Sequence, residues 1–139
     1  MKPKITLEAT VAAISLNNLK WDRNRQPRTR DRRIRAVLDA MENDLRHYWT
    51  IQEFGLLVSL SSSHLRQLFR VETGKTPNRH LKKLRMHAAK TLLESEYLSV
   101  KEVMDRVSIA NLSHFIKDFK AAYGLSPSRT KKSRDQGLE

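Results

Sequence analysis

The sequence predicts an all-α protein: two helix-turn-helix subdomains joined by a long connector helix, in a homeodomain-like arrangement. Three observations predict it. Glycine and proline are scarce, at four each in 139 residues, and no stretch alternates apolar and polar residues as a half-buried strand does. Apolar residues instead recur at helical spacing in short segments bounded by capping residues. Finally, one pair of such segments repeats another, with the same punctuation, on either side of a longer helical run.

Composition narrows the function classes. A chain of this length is about one domain. It has no cysteine, which excludes a disulfide framework and a thiolate metal site and fits a reducing compartment. The formal net charge is +12, which points to a polyanionic partner, either nucleic acid or an anionic membrane surface. No apolar run approaches the roughly 20 residues needed to cross a bilayer. Lys2 and Lys4 open the chain, but Glu8 and Thr10 interrupt the apolar residues after them, so the N-terminus does not read as a signal peptide.

Residues 1–30 read as an extension. Thr6 caps a candidate short helix over 6–19, with Leu7, Val11 and Ile14 on one face. Residues 20–33 are basic, with Lys20, Arg23, Arg25, Arg28, Arg30, Arg32 and Arg33 against Asp22 and Asp31, and Pro27 breaks them. This stretch reads as a linker; a basic arm entering a minor groove is the alternative.

The predicted helical domain spans 31–131. Asp31 caps a helix carrying Ile34, Val37, Leu38, Met41 and Leu45, expected to end near His47. The first helix-turn-helix covers about 50–74. Thr50 caps its first helix, with Ile51, Phe54, Leu57 and Val58 facing the core, and Ser59-Leu60-Ser61 turns the chain. Its second helix carries Leu65, Leu68 and Phe69 and stops at Gly74. Thr76-Pro77 opens the connector, about 77–94, whose wide stripe of Leu81, Leu84, Met86, Ala88, Ala89, Leu92 and Leu93 suits a helix packed on more than one side. The second helix-turn-helix covers about 99–124. Ser99 with Glu102 forms a capping box, and Val100, Val103, Met104 and Val107 give the apolar face. Ser108 to Ala110 turns the chain, and Asn111 caps a last helix with Phe115, Phe119 and Ala122, stopped by Gly124. After Ser126-Pro127 come Arg129, Lys131, Lys132 and Arg134, read as a basic tail, with 132–139 outside the domain.

The repeat is the strongest signal. Glu53, Val58 and Ser59 return as Glu102, Val107 and Ser108; Ser63-His64-Leu65 as Ser113-His114-Phe115; Phe69-Arg70 as Phe119-Lys120; and Gly74-Lys75-Thr76-Pro77 as Gly124-Leu125-Ser126-Pro127. The spacing grows by one residue across the turn, so the second copy has the longer turn. A helical bundle with duplicated hairpins is the competing reading, but the short turn and basic outer faces favour DNA. Recognition helices of a dimer sit about 34–36 Å apart, one turn of duplex. A connector helix of about 18 residues spans about 27 Å, so one chain can present both.

On the first recognition helix, Ser62, Ser63, Arg66, Gln67 and Arg70 lie off the core face. Gln67 suits adenine, Arg66 guanine, and Arg70, further along, phosphate. The second offers Leu112, Ser113, Ile116, Lys117 and Lys120. Lys117 suits a base or phosphate, while Leu112 and Ile116 meet thymine methyls or pack on protein.

From about Asp31 to Lys131 the chain resembles the DNA-binding domain of AraC/XylS-type transcription regulators. The residues that carry this are Trp49-Thr50-Ile51, Leu65 with Phe69, Gly74-Lys75-Thr76-Pro77, Arg85-Met86 with Ala89 and Leu92-Leu93, Ser113-His114-Phe115 with Phe119-Lys120, and Gly124-Leu125-Ser126-Pro127. The resemblance implies about seven helices, double-stranded promoter DNA bound in adjacent major grooves, RNA polymerase as a partner in activators, and the bacterial cytoplasm, on the nucleoid, as the location. Three places depart from the family pattern. Met104 replaces a small residue, Ser108-Ile109 replaces Gly-Phe or Gly-Tyr, and Thr130-Lys131 replaces Tyr-Arg. Met104 is expected to spread its helices, and Ser108 to take a positive φ. With about 30 residues ahead of the domain, no small-molecule effector site is expected.

Other chemistry finds little support, and neither an enzyme nor a cofactor is expected. Gly74-Lys75-Thr76 ends like a phosphate-binding loop, but Phe69 stands where that motif needs glycine. His47, His64, His80, His87 and His114 lack metal-ligand spacing and read as surface or phosphate-side residues. The Ser63-His64 and Ser113-His114 pairs are adjacent on helices and do not face each other. Two further function classes compete: a degenerate regulator acting as a protein-interaction module, motivated by Met104, Ser108 and Leu112, and non-specific binding through charge alone.

Overall fold

The computed structural model describes residues 29–95 and 97–131. The expected helix over 6–19, most of the basic stretch and the 132–139 tail lie outside the described residues. The helices are α1 (Arg32–Asn43), α2 (Ile51–Val58), α3 (Ser62–Thr73), α4 (Pro77–Ser95), α5 (Val100–Arg106) and α6 (Leu112–Tyr123). A seventh, α7, opens at Pro127 and is described over 127–131. There is no strand among the described residues.

Local chemistry sets most boundaries. The Asp31 carboxylate accepts from the Arg33 amide and caps α1. Both α2 and α5 begin with a capping box, Thr50 with Glu53 and Ser99 with Glu102, in which each partner satisfies the other's free amide. Ser61 caps α3 and Asn111 caps α6, each accepting from the amide three residues on. Both recognition-type helices end on a left-handed glycine, Gly74 and Gly124, each with φ 80°.

One continuous core runs through the molecule. Ile34, Val37, Leu38 and Met41 of α1 meet Phe54, Leu65 and Phe69; Leu84, Ala89 and Leu93 of α4 continue it to Val103, Val107, Phe115 and Phe119. The 19-residue α4 buries residues along its whole length, from Pro77 to Leu93. It packs against α3, α5 and α6, so it is the common wall of both helix pairs.

The structure corrects five expectations. α1 stops at Asn43, not near His47. The carbonyls that a longer helix would use internally are claimed by distant groups: Trp49 Nε1 donates to Asp44 O at 2.7 Å, and Arg85 donates to Leu45 O and His47 O at 3.3 and 2.8 Å. Leu57 is exposed rather than core-facing. Burial of Gly55 turns α2 so that Ile51, Phe54, Gly55 and Val58 face inward. Ala122 is exposed, and Tyr123 is the half-buried residue at that end, with its ring 4.9 Å from that of Phe119. Arg129 and Lys131 belong to α7 rather than to a tail; the Ser126 hydroxyl accepts from the Arg129 amide, and Thr130 is buried. His80 is 3% exposed instead of a surface residue, packed edge-on against Phe69 at 5.8 Å.

Candidate nucleic-acid interface

The first candidate face is built on α3. Leu65 and Phe69 anchor its inner side in the core, and the helical period turns Ser63, Arg66, Gln67 and Arg70 outward. These four line a shallow open depression together with Val71 and Thr76. Ser62, half-buried at the start of the helix, is not among the residues that line the depression. Val71 and Thr76 were missed by sequence reasoning; Val71 carries no pattern that separates it from any exposed residue.

The second face is built on α6. Phe115 and Phe119, edge to face at 5.7 Å, hold its inner side. Ser113, Lys117 and Lys120 are exposed, and so are Leu112 and Ile116, at 51% and 39%. Leu112 and Ile116 stand one turn apart and form a short apolar strip beside the two lysines. Among the described residues no ion pair engages Arg66, Arg70, Lys117 or Lys120. Four cations on two helix faces are therefore left to solvent or to a partner.

The turns that orient α3 and α6 share one backbone device. Ser59 and Ser108 occupy equivalent places and both are left-handed, with φ of 60° and 56°. The positive φ expected at Ser108 is present. In each turn an amide reaches back into the first helix at 2.9 Å, Leu60 to Gly55 O and Ile109 to Met104 O. The second turn then carries its additional residue before Asn111.

The second unit is tied to the loop after α1 as well as to α4. Ser108 Oγ donates to the Arg46 carbonyl, and Arg46 pairs with Asp105 at 3.5 Å. Arg85 of α4 holds the carbonyls on either side, those of Leu45 and His47. Burial lowers the pKa of its guanidinium from the usual arginine value. Lys82 of α4 pairs with Asp118 of α6 at 2.7 Å. The loop after α1 is thus clasped by the connector and the second unit together. This brace joins residues distant in sequence, and nothing in the pattern of the chain announces it.

Two helix-turn-helix units on a shared connector define a class of DNA-binding module. Comparison with known proteins narrows the class. Residues 57–133 match a family model described as a helix-turn-helix domain. The uncharacterized HTH-type transcriptional regulator YidL of Escherichia coli K12 is 32% identical over 105 residues, covering 76% of this chain and 35% of that protein. The C-terminal domain of AraT, a response regulator from Geobacillus stearothermophilus, superposes with TM-score 0.69 at 25% identity, covering 75% of this chain and 87% of that one. The DNA-binding domain of AdpA, solved in complex with a target DNA, superposes with TM-score 0.68 at 23% identity over 72% of this chain and 90% of that one. The chain belongs to the AraC-type family of helix-turn-helix DNA-binding domains of transcription regulators. It spans about a third of the length of the curated relatives it matches. No described helix is long and apolar enough to cross a membrane.

Proposed function

We propose that the chain regulates transcription by inserting α3 and α6 into adjacent major-groove segments of promoter DNA and reading its sequence there. The observation that carries this reading is the pair of exposed cationic helix faces held in one braced body. In this reading Arg66 and Gln67 contact base edges, as bidentate partners of guanine and adenine. Ser63, Arg70 and Lys120 position the backbone, with Ser62 supporting the start of α3. Lys117 contacts a base or phosphate, and Leu112 and Ile116 cover thymine methyls. The activity places the protein in the bacterial cytoplasm, on the nucleoid, with RNA polymerase as its further partner. Selection from random duplexes at physiological salt tests this. It should return one asymmetric motif, and failure to enrich any motif overturns sequence-specific reading.

The exposed Leu112 and Ile116 favour one second reading, a module that docks on a partner protein through α6 and touches DNA weakly. Under it, Gln67→Ala and Lys117→Ala leave regulation in cells unchanged, whereas Leu112→Ser abolishes it.

A further inference from the structure

α4 packs against both α3 and α6, so its outer side runs between the two recognition helices. At its start Thr76 lines the depression on α3, and further on Lys82 reaches α6 through its pair with Asp118. Along this saddle stand Lys75, Arg79 and Lys83. Arg79 and Lys83 are one turn apart on the same side of α4. Lys75 stands in the turn after Gly74, two residues before α4, where the charges of Lys83 and Arg79 bear on it. Among the described residues no acidic side chain pairs with any of the three, although their neighbour Lys82 has one. Like charges in contact repel, and the pKa of Lys75 is lowered by Lys83 first, then by burial and Arg79. An anion seated among the three reverses that repulsion.

We propose that Lys75, Arg79 and Lys83 form a phosphate clasp on the connector helix, gripping the DNA backbone where the duplex passes from one recognition helix to the other. This rests on the reading of α3 and α6 as groove-entering helices. If both enter the same face of the duplex, the saddle between them faces the intervening sugar-phosphate backbone. Arg79 and Lys83 are about 6 Å apart along the axis, four residues at 1.5 Å each. That is comparable with the separation of neighbouring phosphates on a strand. A clasp of this kind carries no sequence information. It fixes where along the duplex each recognition helix comes down.

The test uses the full chain and a duplex obtained by selection. Arg79→Gln, Lys83→Gln and the triple variant with Lys75→Gln are titrated from about 50 to 200 mM salt. Each lost phosphate contact should reduce the slope of log K against log salt by about 0.9, which shrinks the affinity ratio across that range roughly threefold per cation. Binding to selected and scrambled duplexes should weaken by the same factor, and the charge-keeping Arg79→Lys and Lys83→Arg should retain the slope. A triple variant with the wild-type slope overturns the clasp. So does a change in the ratio between selected and scrambled duplexes. A free-anion site is the other outcome that sinks it: inorganic phosphate raises the melting temperature over chloride at matched ionic strength, while the DNA slope stays unchanged in the variants. If selection returns no motif and no duplex binds, the proposed function and the clasp fall together. If a motif emerges and the slope does not move, only the clasp falls.

Discussion

Gly55 of the first unit and Met104 of the second fill the same place in the repeat, on the inner side of the helix that precedes each turn. A Cβ at Gly55 would lie 2.5 Å from the Leu60 carbonyl oxygen, so the first unit closes with backbone against backbone. The second unit places a long side chain there, 7% exposed, and its turn is one residue longer directly after Ile109, the counterpart of Leu60. The same hydrogen bond into the turn survives in both, at 2.9 Å. A duplicated motif can thus keep its caps, its left-handed serine and its glycine stop while exchanging a close backbone approach for a bulky plug and a longer loop. The outer faces have diverged as well. α3 presents arginines and a glutamine, whereas α6 presents two lysines and an apolar strip.

The largest expected effects break that equivalence in the core. Met104→Ala should destabilise by about 2–5 kcal/mol, because the lost side chain leaves a cavity. Gly55→Ala should lower stability by about 1–3 kcal/mol for the opposite reason, overpacking against a backbone oxygen. Denaturant unfolding of both variants checks this; a neutral Gly55→Ala contradicts the account of the first turn.

A second difference lies where each unit meets the helix after its glycine stop. His80 in the first corresponds to Thr130 in the second, and both are buried. The Thr130 hydroxyl donates to the Ser126 carbonyl at 3.1 Å. His80 has its pKa pushed down from 6.5 to about 4 by burial, with Lys75 and Lys83 adding to the shift. The unfolded chain therefore takes up the proton first as pH falls. The stability contributed by the neutral imidazole is complete above 6.5 and is lost between that value and about 4. The expected loss by about pH 4.5 is about 2 kcal/mol. Thermal melts across this window should show it, and His80→Phe should flatten the profile. An unchanged profile in His80→Phe would assign the acid sensitivity elsewhere.

On the outer faces, Gln67→Ala and Arg66→Ala should each weaken binding to a selected duplex by about 1–3 kcal/mol and relax one base position. Lys117→Ala should weaken selected and scrambled duplexes more evenly. Comparing selected motifs for the three variants sharpens the contrast between a base-reading first face and a more backbone-directed second one. The smallest expected effect concerns the paired serines. Ser59→Gly should raise stability by about 0.5 kcal/mol through relief of its positive φ. Ser108→Gly should lower it, since the bond to the Arg46 carbonyl, worth about 1 kcal/mol, goes with the hydroxyl.

What was legible in the chain is what local chemistry determines. The caps at Asp31, Thr50, Ser99 and Asn111 and the stops at Gly74 and Gly124 are written within three or four residues, and the repeat doubled the signals of the two helix pairs. The outward set Ser63, Arg66, Gln67 and Arg70 follows from helical period once Leu65 and Phe69 are placed inside. The end of α1, the burial of His80 and the exposure of Leu57 were not legible. Each depends on a group far off in sequence or on a backbone approach: Arg85 on the Leu45 carbonyl, Phe69 on the imidazole, Leu60 against Gly55. The departures at Met104 and Ser108 and the longer second turn were visible in the spacing, but the tie from Ser108 to the Arg46 carbonyl needed the fold.

The central claim is that two unequal faces are held at a fixed separation by the connector and the brace around the Arg46 carbonyl. Inserting half a turn of duplex, about 5 base pairs, between the two halves of the selected site tests it most directly. Affinity should fall to that of a site whose second half has been scrambled, because α6 can no longer follow. Unaltered affinity for the spaced site would show that the two units move independently, and would contradict the account.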